Sequence, residues 1–278
     1  MKRILLTNTD LKVSPLSLGT VNYGSKTGEK EAFEQMDKYL ASGGNFIDTA
    51  SIYGCFEGSI EKHASEKIVG RWMKDRHTRD KIVISTKGGH PLAYDPDFTI
   101  RLHRDELFED VEKSLSHLHT DYIDMYFLHR DDTLMPVGEI METLEEIRRQ
   151  GKIRYYGFSN WKIDRVKEAQ AYAKAHGFQG FTVNQLMWSL AHVDAGEIQD
   201  KTLVAMDRET YAYHKETQMS AMAYRSIAKG YFTRREKGAQ MRSDLVSSYS
   251  ARLNDEIYAL LANAKMETGA SMAELSLM

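Results

Sequence analysis

Short apolar runs alternate with longer stretches of helical period along this 278-residue chain, and that alternation constrains its fold more than any other feature. The runs typical of β-strands are Ser14–Gly19, Asn45–Thr49, Lys81–Thr86, Tyr122–Leu128, Arg154–Phe158, Phe181–Gln185 and Met219–Tyr224. Between them lie amphipathic stretches such as Lys30–Ala41 and Val137–Gln150, and glycines at positions 43, 151 and 177 predict helix ends. Repeated strand–helix–strand units indicate parallel strands joined by right-handed crossovers.

Two α/β folds fit such units, an open doubly wound sheet and a (β/α)8 barrel. A dinucleotide-binding doubly wound sheet usually carries G-x-G-x-x-G directly after its first strand, and Gly19–Gly24 lacks that pattern. The segment Gly24–Lys30 also departs from a phosphate-binding loop, because its glycines are too close and no Ser or Thr follows the lysine. We therefore predict a (β/α)8 (TIM) barrel, preceded by a short hairpin of Ile4–Thr7 and Leu11–Val13.

Charge and cysteine content narrow the class of partner. A net charge of −3 without basic tracts gives no electrostatic reason to expect nucleic acid or an acidic membrane surface. No apolar run approaches the roughly 18 residues that span a bilayer. Cys55 is the single cysteine, and the N-terminal apolar stretch is too short for a signal peptide. The sequence therefore predicts a cytoplasmic protein that acts on a small molecule.

The C-terminal part fits the barrel pattern less well. Two stretches, His192–Gln218 and Lys229–Ser250, predict long loops. The segment Ser271–Met278 has the Ser-x-x-Glu start of a capped helix, and an eighth strand and helix are missing from the pattern. We predict one domain over residues 1–278, a C-terminally incomplete barrel. Either the chain is a fragment of a longer protein, or an altered arrangement, of which an oligomer is one form, covers the gap.

Polar side chains stand where the apolar runs end. In a (β/α)8 barrel the active site lies at the C-terminal ends of the strands, so these side chains are candidates for chemistry. They are Asp48, Lys87, His129, Ser159, Asn160, Asn184, Gln185 and Tyr224. A single polar residue at a strand end is more often a turn or surface residue. Their coincidence is what favours an active site.

Three of these residues, together with a tyrosine from a nearby loop, suggest a tuned acid. Asp48 and Lys87 would lie on adjacent strands, where a partly buried carboxylate and ammonium are tolerable only as a hydrogen-bonded pair. The loop after Asp48 can carry Tyr53 over that pair, and an ammonium beside a phenol lowers the pKa of the phenol. Tyr53 then becomes a proton donor near neutral pH, and His129 can orient a carbonyl.

These residues resemble the aldo-keto reductase family. The similar segments are GNFIDTASIYG, EKIVG, VISTKGG, YIDMYFLH, GKIRYYGFSNW and VNQ, within Leu5–Met278. The resemblance implies that Asp48, Tyr53, Lys87 and His129 form a catalytic tetrad. It also implies a cofactor site, in which Ser159, Asn160 and Gln185 bind the nicotinamide carboxamide and Tyr224 stacks on the ring, with Gly19, Thr20, Asp48, Arg225 and Ser226 as further contacts.

The reaction implied by the family is hydride transfer from NADPH to the carbonyl of a small aldehyde or ketone, with NADH left open as the cofactor. The segment that grips the 2′-phosphate of NADP in the family is missing here. Candidate walls of the substrate pocket are Tyr23, Phe56, Trp161 and Trp188, for which ordinary packing is an equal alternative. No metal is expected, because His117 and His119 sit at a predicted helix end.

Two other functions stay open at the level of sequence. One is a nicotinamide-binding regulatory module without turnover, suggested by the incomplete barrel. The other is a lyase or aldolase in which Lys87 forms a Schiff base. A neighbouring Asp48 disfavours the second, because a carboxylate keeps the lysine charged and therefore poorly nucleophilic.

Overall fold

The strands form a hairpin and a sheet. A computed structural model describes residues 1–55, 62–91, 95 and 97–277. The strands are β1 (Ile4–Leu5), β2 (Lys12–Val13), β3 (Leu18–Gly19), β4 (Phe46–Asp48), β5 (Val83–Gly88), β6 (Ile123–Leu128), β7 (Ile153–Ser159), β8 (Val183–Met187) and β9 (Ser220–Tyr224). Strands β1 and β2 pair antiparallel, and β3 to β9 form one seven-stranded sheet in sequence order, with parallel pairs from β3 to β7. The predicted hairpin and the seven predicted strands are confirmed, within a few residues at each end.

Helices follow most strands, as a (β/α)8 pattern requires. They are α1 (Glu29–Ala41), α2 (Ala64–Arg76), α3 (Arg104–Leu118), α4 (Val137–Arg149), α5 (Ile163–His176), α6 (Arg208–Thr217), α7 (Tyr231–Glu236), α8 (Ser243–Tyr249), α9 (Arg252–Thr268) and α10 (Met272–Leu275). The two predicted helices correspond to α1 and α4. Gly43, Gly151 and Gly177 all have positive φ and follow helix ends, as predicted.

Local sequence signals explain several helix boundaries. Ser271 Oγ accepts a hydrogen bond from the Glu274 backbone N–H at 3.2 Å, and Glu274 Oε2 accepts one from the Ser271 N–H at 2.7 Å. This reciprocal capping box starts α10 and confirms the Ser-x-x-Glu prediction. His119, predicted to have a helix-terminal role, is the C-cap of α3 with φ 52°.

The two predicted long loops were wrong. The stretch His192–Gln218 contains α6, and Lys229–Ser250 contains α7 and α8. All three helices are short, at 10, 6 and 7 residues. In α6 the only buried residue is Thr210, so the helix has no apolar stripe from which a period could be read.

Strand register brings the polar strand ends to one edge of the sheet. Asp48 pairs with Gly19 of β3 on one side and with Ser85 of β5 on the other. Lys87 of β5 in turn pairs with Phe127 of β6. Because the strands are parallel, their carboxyl ends share this edge.

Within the described ranges the chain divides into two compact units. The first comprises Met1–Asn184 and Gln218–Ser220, and the second comprises Gln185–Thr217 and Ala221–Met278. The first unit has a core built around the fully buried strands β5 and β6. The second has its own apolar cluster, formed by Ala191, Ala228, Tyr231, Phe232, Leu245, Tyr249, Leu261, Met272 and Leu275. The single-domain interpretation stays a prediction. Among the described residues, no helix has the length and apolarity to cross a membrane.

Candidate active site

A buried ion pair lies at the carboxyl end of β4 and β5. Lys87 Nζ donates to Asp48 Oδ2 at 2.8 Å and to the Thr49 carbonyl oxygen at 2.7 Å. The other carboxylate oxygen, Asp48 Oδ1, accepts from Ser85 Oγ at 2.7 Å. Lys87 is fully buried and Asp48 is 6% exposed. The structure therefore joins these two residues as the sequence predicted.

The ion pair fixes the charge state of Lys87. Burial lowers the pKa of Lys87, but the Asp48 carboxylate, the Tyr53 phenol and the hydrogen bonds to both outweigh it, so the pKa is raised. The side chain is therefore an ammonium at neutral pH. An ammonium is a poor nucleophile, which argues against the Schiff-base chemistry considered from the sequence.

Tyr53 lies above the ion pair on a tight turn. Its ring centroid is 4.5 Å from Lys87 Nζ, a cation–π distance. The Tyr53 N–H donates to the Ala50 carbonyl at 3.0 Å, which closes the turn. Gly54 has φ +86°, and a Cβ at that position would lie 2.5 Å from the Tyr23 carbonyl oxygen. Glycine is therefore required directly after Tyr53.

The net pKa of Tyr53 differs in direction from the sequence expectation. Burial raises the pKa of the phenol, and the Asp48 carboxylate raises it further. Lys87 lowers this pKa through its charge and a hydrogen bond, as expected, and Arg130 adds a smaller lowering. The raising effects are larger, so the pKa of Tyr53 lies above its ordinary value. The sequence indicates a neighbouring ammonium but not how far the phenol is buried. The predicted direction of the pKa shift was therefore wrong.

His129 follows β6 directly and faces Tyr53. The two ring centroids are 6.0 Å apart with an edge-to-face angle of 74°. Burial lowers the pKa of His129 well below its ordinary value, and the neighbouring His90, Arg130 and Lys87 lower it further, so the imidazole is neutral. Nδ1 of His129 is buried and has no hydrogen-bond partner among the described residues. All four residues of the predicted tetrad thus lie in one unit, three of them around Tyr53.

Several predicted cofactor contacts lie beside the tetrad in the first unit. Ser159 and Asn160 are 1% and 5% exposed at the end of β7. The Asn160 amide donates to Ser159 Oγ at 2.9 Å and to the His129 carbonyl at 3.2 Å, and its φ is 63°. Thr20 Oγ1 donates to the Asp48 carbonyl at 3.0 Å, while Gly19 is exposed.

The other predicted cofactor contacts lie in the second unit. Gln185 Nε2 is 3.2 Å from the Met222 sulfur. Tyr224 ends β9, and its carbonyl accepts from the Trp188 N–H at 3.3 Å. Arg225 has φ 54° and is half-buried, as is Ser226.

The predicted pocket walls have different environments. Tyr23 is 2% exposed, and its hydroxyl donates to Gln35 Oε1 at 3.1 Å. Trp161 is 3% exposed, and its indole N–H donates to the Arg130 carbonyl at 3.1 Å. Both rings are enclosed within the first unit. Trp188, in the second unit, is 40% exposed, and Phe56 lies outside the described residues.

Sequence reasoning missed four residues that support the tetrad. Ser85 and Thr49 bond the ion pair directly, and Ser85 could have been found because it stands two residues before Lys87 on the same face of β5. His90 packs edge-to-face on His129 at 4.9 Å, and Glu66 is fully buried. His90 and His129 lie far apart in the sequence, as do Glu66 and its partner Thr86, so no local pattern reveals these contacts.

A match to a family model decides the classification of the chain. The model for the aldo/keto reductase family matches residues 15–278. The chain belongs to the aldo-keto reductase family. Aldo-keto reductases are oxidoreductases, and the family generally uses NAD(P)H on small carbonyl compounds. The sequence-based identification and the (β/α)8-type fold are thereby confirmed.

Similar proteins agree with this assignment. Norsolorinic acid reductase of Aspergillus flavus is 34% identical over 69% of this chain and 51% of its own length. Oxidoreductase YrpG of Bacillus subtilis is 37% identical over 68% of this chain and 59% of its own length. The chain thus spans between half and six-tenths of these relatives. A crystal structure of a thermostable aldo-keto reductase with the inhibitor epalrestat superimposes with TM-score 0.70, covering 100% of this chain and 84% of that one, at 23% identity, and shows the same fold.

Proposed function

We propose that this protein is an NADPH-dependent oxidoreductase that reduces aldehyde or ketone groups of small molecules to alcohols, with Tyr53 as the proton donor. One observation carries the proposal. A fully buried lysine, held by Asp48 at 2.8 Å, lies 4.5 Å from the ring of a half-buried tyrosine. Burying an ammonium is costly even when a carboxylate pairs with it, so its place beside a phenol calls for a functional explanation.

The first unit offers groups that suit a nicotinamide. A carboxamide both donates and accepts hydrogen bonds, and Ser159 and Asn160 supply a hydroxyl and an amide at the end of β7. The buried Nδ1 of His129, without a partner among the residues described, is a further polar atom near these groups. When bound, the reduced cofactor supplies the hydride. NADPH is the proposed form and NADH the alternative.

Each tetrad residue has a separate role in proton transfer or substrate orientation. Tyr53 donates its proton to the carbonyl oxygen, and Lys87 stabilises the phenolate that is left. Asp48 keeps Lys87 charged. Neutral His129 can donate a ring N–H to the same carbonyl oxygen and so orient the substrate. A positioned acid contributes about 100- to 10,000-fold to a rate.

The raised pKa of Tyr53 is compatible with this role. A phenol whose pKa lies above its ordinary value is fully protonated at neutral pH, so it enters the reaction as the acid. The Lys87 ammonium opposes the upward shift, and its attraction for the phenolate grows as the proton leaves. The interaction is therefore strongest when negative charge develops on the oxygen.

The name of one relative supports the direction of the reaction. The Aspergillus flavus relative is named as a reductase of norsolorinic acid. The proposal takes from it only the reductase activity, and the substrate of this chain is a small carbonyl compound of undefined class. The proposal also places the protein in the cytoplasm.

A cofactor-oxidation assay tests the proposal. Purified protein is mixed with NADPH, or with NADH, and a panel of aldehydes and ketones, and loss of reduced cofactor is followed by absorbance. We expect turnover with wild type, and a loss of at least about 100-fold in Tyr53→Phe. Tyr172→Phe is the matched control, because its hydroxyl bonds Glu142 on the surface. Turnover by Tyr53→Phe at the wild-type rate would contradict the role of Tyr53. Tight NADPH binding without turnover in wild type would instead favour the regulatory module.

A further inference from the structure

We infer that Glu66 is a positioning residue of the active site, whose buried carboxylate couples the turn that carries Tyr53 to the strand that carries Lys87. The inference rests on the proposed function, since it concerns the geometry of the proton donor. Glu66 stands in the first turn of α2 and has no solvent exposure. A fully buried carboxylate needs strong partners, and its two oxygens reach two different elements.

One oxygen of Glu66 binds β5. Oε1 accepts from the Thr86 hydroxyl at 2.5 Å, and Thr86 directly precedes Lys87. This is a short, charge-assisted hydrogen bond between two residues that are 0% exposed. It ties the start of α2 to the strand position next to the catalytic ammonium.

The other oxygen binds the residue that precedes α2. Glu66 Oε2 lies 2.5 Å from His63 Nδ1, and because a carboxylate only accepts, Nδ1 is the donor. His63 is 5% exposed and has a left-handed backbone, φ 62°. A non-glycine residue with this φ is held by its surroundings. The bond between the His63 ring and Glu66 attaches the His63 side chain to α2.

His63 and its neighbour hold the tyrosine turn. The His63 N–H donates to the Ser51 carbonyl at 2.8 Å, and the Ser65 N–H donates to the Tyr53 carbonyl at 3.2 Å. The Ser51 N–H in turn donates to the Lys87 carbonyl at 3.1 Å. The backbone at the start of α2 therefore holds the turn in place. Glu66 in turn holds that backbone against β5.

Glutamine is a poor substitute for this carboxylate. Glu66 accepts from a hydroxyl on one side and from an imidazole N–H on the other. In the variant Glu66→Gln the side-chain amide would offer one acceptor and one donor, so either the Thr86 hydroxyl or the His63 ring would have to change from donor to acceptor, and both bonds would lose the carboxylate charge that strengthens them. A displacement of about 1 Å between an acid and its partner can cost about 100-fold in rate.

Kinetics of Glu66→Gln, with NADPH and a carbonyl that wild type reduces, form the first part of the test. We expect kcat to fall about 10- to 100-fold, while the Kd for NADPH stays within about twofold, because the cofactor contacts proposed above do not involve Glu66. Glu145→Gln is the matched control. Glu145 is 2% exposed and is bonded by Arg148 and Arg149 on α4, away from the tetrad, so only thermal stability should change.

A second pair of variants keeps the test decisive if Glu66→Gln does not fold. Thr86→Val removes the hydroxyl at nearly constant volume, and Thr86→Ser keeps it. We expect Thr86→Val to lose activity as Glu66→Gln does, and Thr86→Ser to keep it within about threefold. Equal rates in the two Thr86 variants would overturn the inference, since only one of them retains the bond to Glu66.

A measurement without turnover separates this inference from the proposed function. Protein labelled with 3-fluorotyrosine gives a fluorine resonance for Tyr53, assigned by its loss in Tyr53→Phe. We expect that resonance to shift or broaden in Glu66→Gln or Thr86→Val and to stay unchanged in Glu145→Gln. A moved resonance in a protein without reductase activity would refute the proposed function and uphold the coupling. A Tyr53 resonance identical to wild type in both test variants would refute the coupling.

Discussion

Asp48→Asn is the change that probes the buried ion pair most sharply. Asparagine keeps the shape of the side chain, and its oxygen can still accept from Lys87, but the negative charge is lost. Removing one partner of a buried pair costs about 3–5 kcal/mol. Lys87 also donates to the Thr49 carbonyl at 2.7 Å, and that bond survives, so we expect the lower end, about 3 kcal/mol of unfolding free energy.

The same variant has a defined pH dependence. In wild type the pKa of Lys87 is raised above its unfolded value of about 10.4, so the contribution of Lys87 is fully present below that pH and is lost as pH rises through the folded pKa. In Asp48→Asn the lowering by burial is no longer opposed by a carboxylate. The folded pKa then falls below about 10.4, and the unfolded chain binds more protons between the two values. Stability of the variant rises with pH in that window, by up to about 1.4 kcal/mol per unit.

Urea unfolding followed by tryptophan fluorescence, at several pH values from 7 to about 10, measures this difference. Asp10→Asn is the matched control, because Asp10 pairs with Arg154 at 2.7 Å on the surface with its side chain 66% exposed. Such exposed pairs contribute about 1 kcal/mol or less. We expect the unfolding free energy of Asp48→Asn to lie well below that of wild type, and the difference to narrow as pH rises. A difference no larger than that of Asp10→Asn, and constant with pH, would show that Lys87 is not held as an ammonium by Asp48.

Two further predictions concern the residues around Tyr53. Gly54→Ala should destabilise the protein by about 1 kcal/mol or more, because φ is +86° and the new Cβ would meet the Tyr23 carbonyl at 2.5 Å; the readout is thermal unfolding, and an unchanged Tm would contradict it. The pKa of His129 is lowered well below its ordinary value, so its imidazole NMR signals should not titrate near about pH 6.5; a midpoint there would refute the neutral assignment.

The sequence predicted the sheet well because most strands lie in short apolar runs with a polar residue at or near the carboxyl end. Strands β5 and β6 are buried along their whole length, and continuous apolar runs are typical of parallel strands covered on both faces. Helices α6, α7 and α8 escaped prediction for the opposite reason. They are short and bury few residues, so no periodic pattern marks them.

Some features of the candidate site could likewise be predicted from the sequence, and others could not. Asp48, Lys87 and His129 were identified because strand ends in a parallel sheet share one edge, a rule that needs only the sequence. The net direction of the Tyr53 pKa could not be obtained so, because it depends on how burial compares with the field of Lys87. Glu66 belongs to the EKIVG segment, but the sequence around it assigns it no role. Its bond to Thr86 becomes visible only when α2 is packed on β5, and its bond to His63, three residues earlier, only when the backbone before α2 is known.

Isotope transfer tests the central claim most directly. Wild-type protein is incubated with a reducible carbonyl compound and NADPH that carries deuterium at the transferable C4 position, and the alcohol product is examined by mass spectrometry and proton NMR. Hydride transfer with proton donation by Tyr53 predicts one deuterium on the former carbonyl carbon and none on the hydroxyl oxygen after exchange. It also predicts almost no labelled alcohol from Tyr53→Phe. Alcohol without deuterium on that carbon, or equal labelling by the variant, would contradict the account.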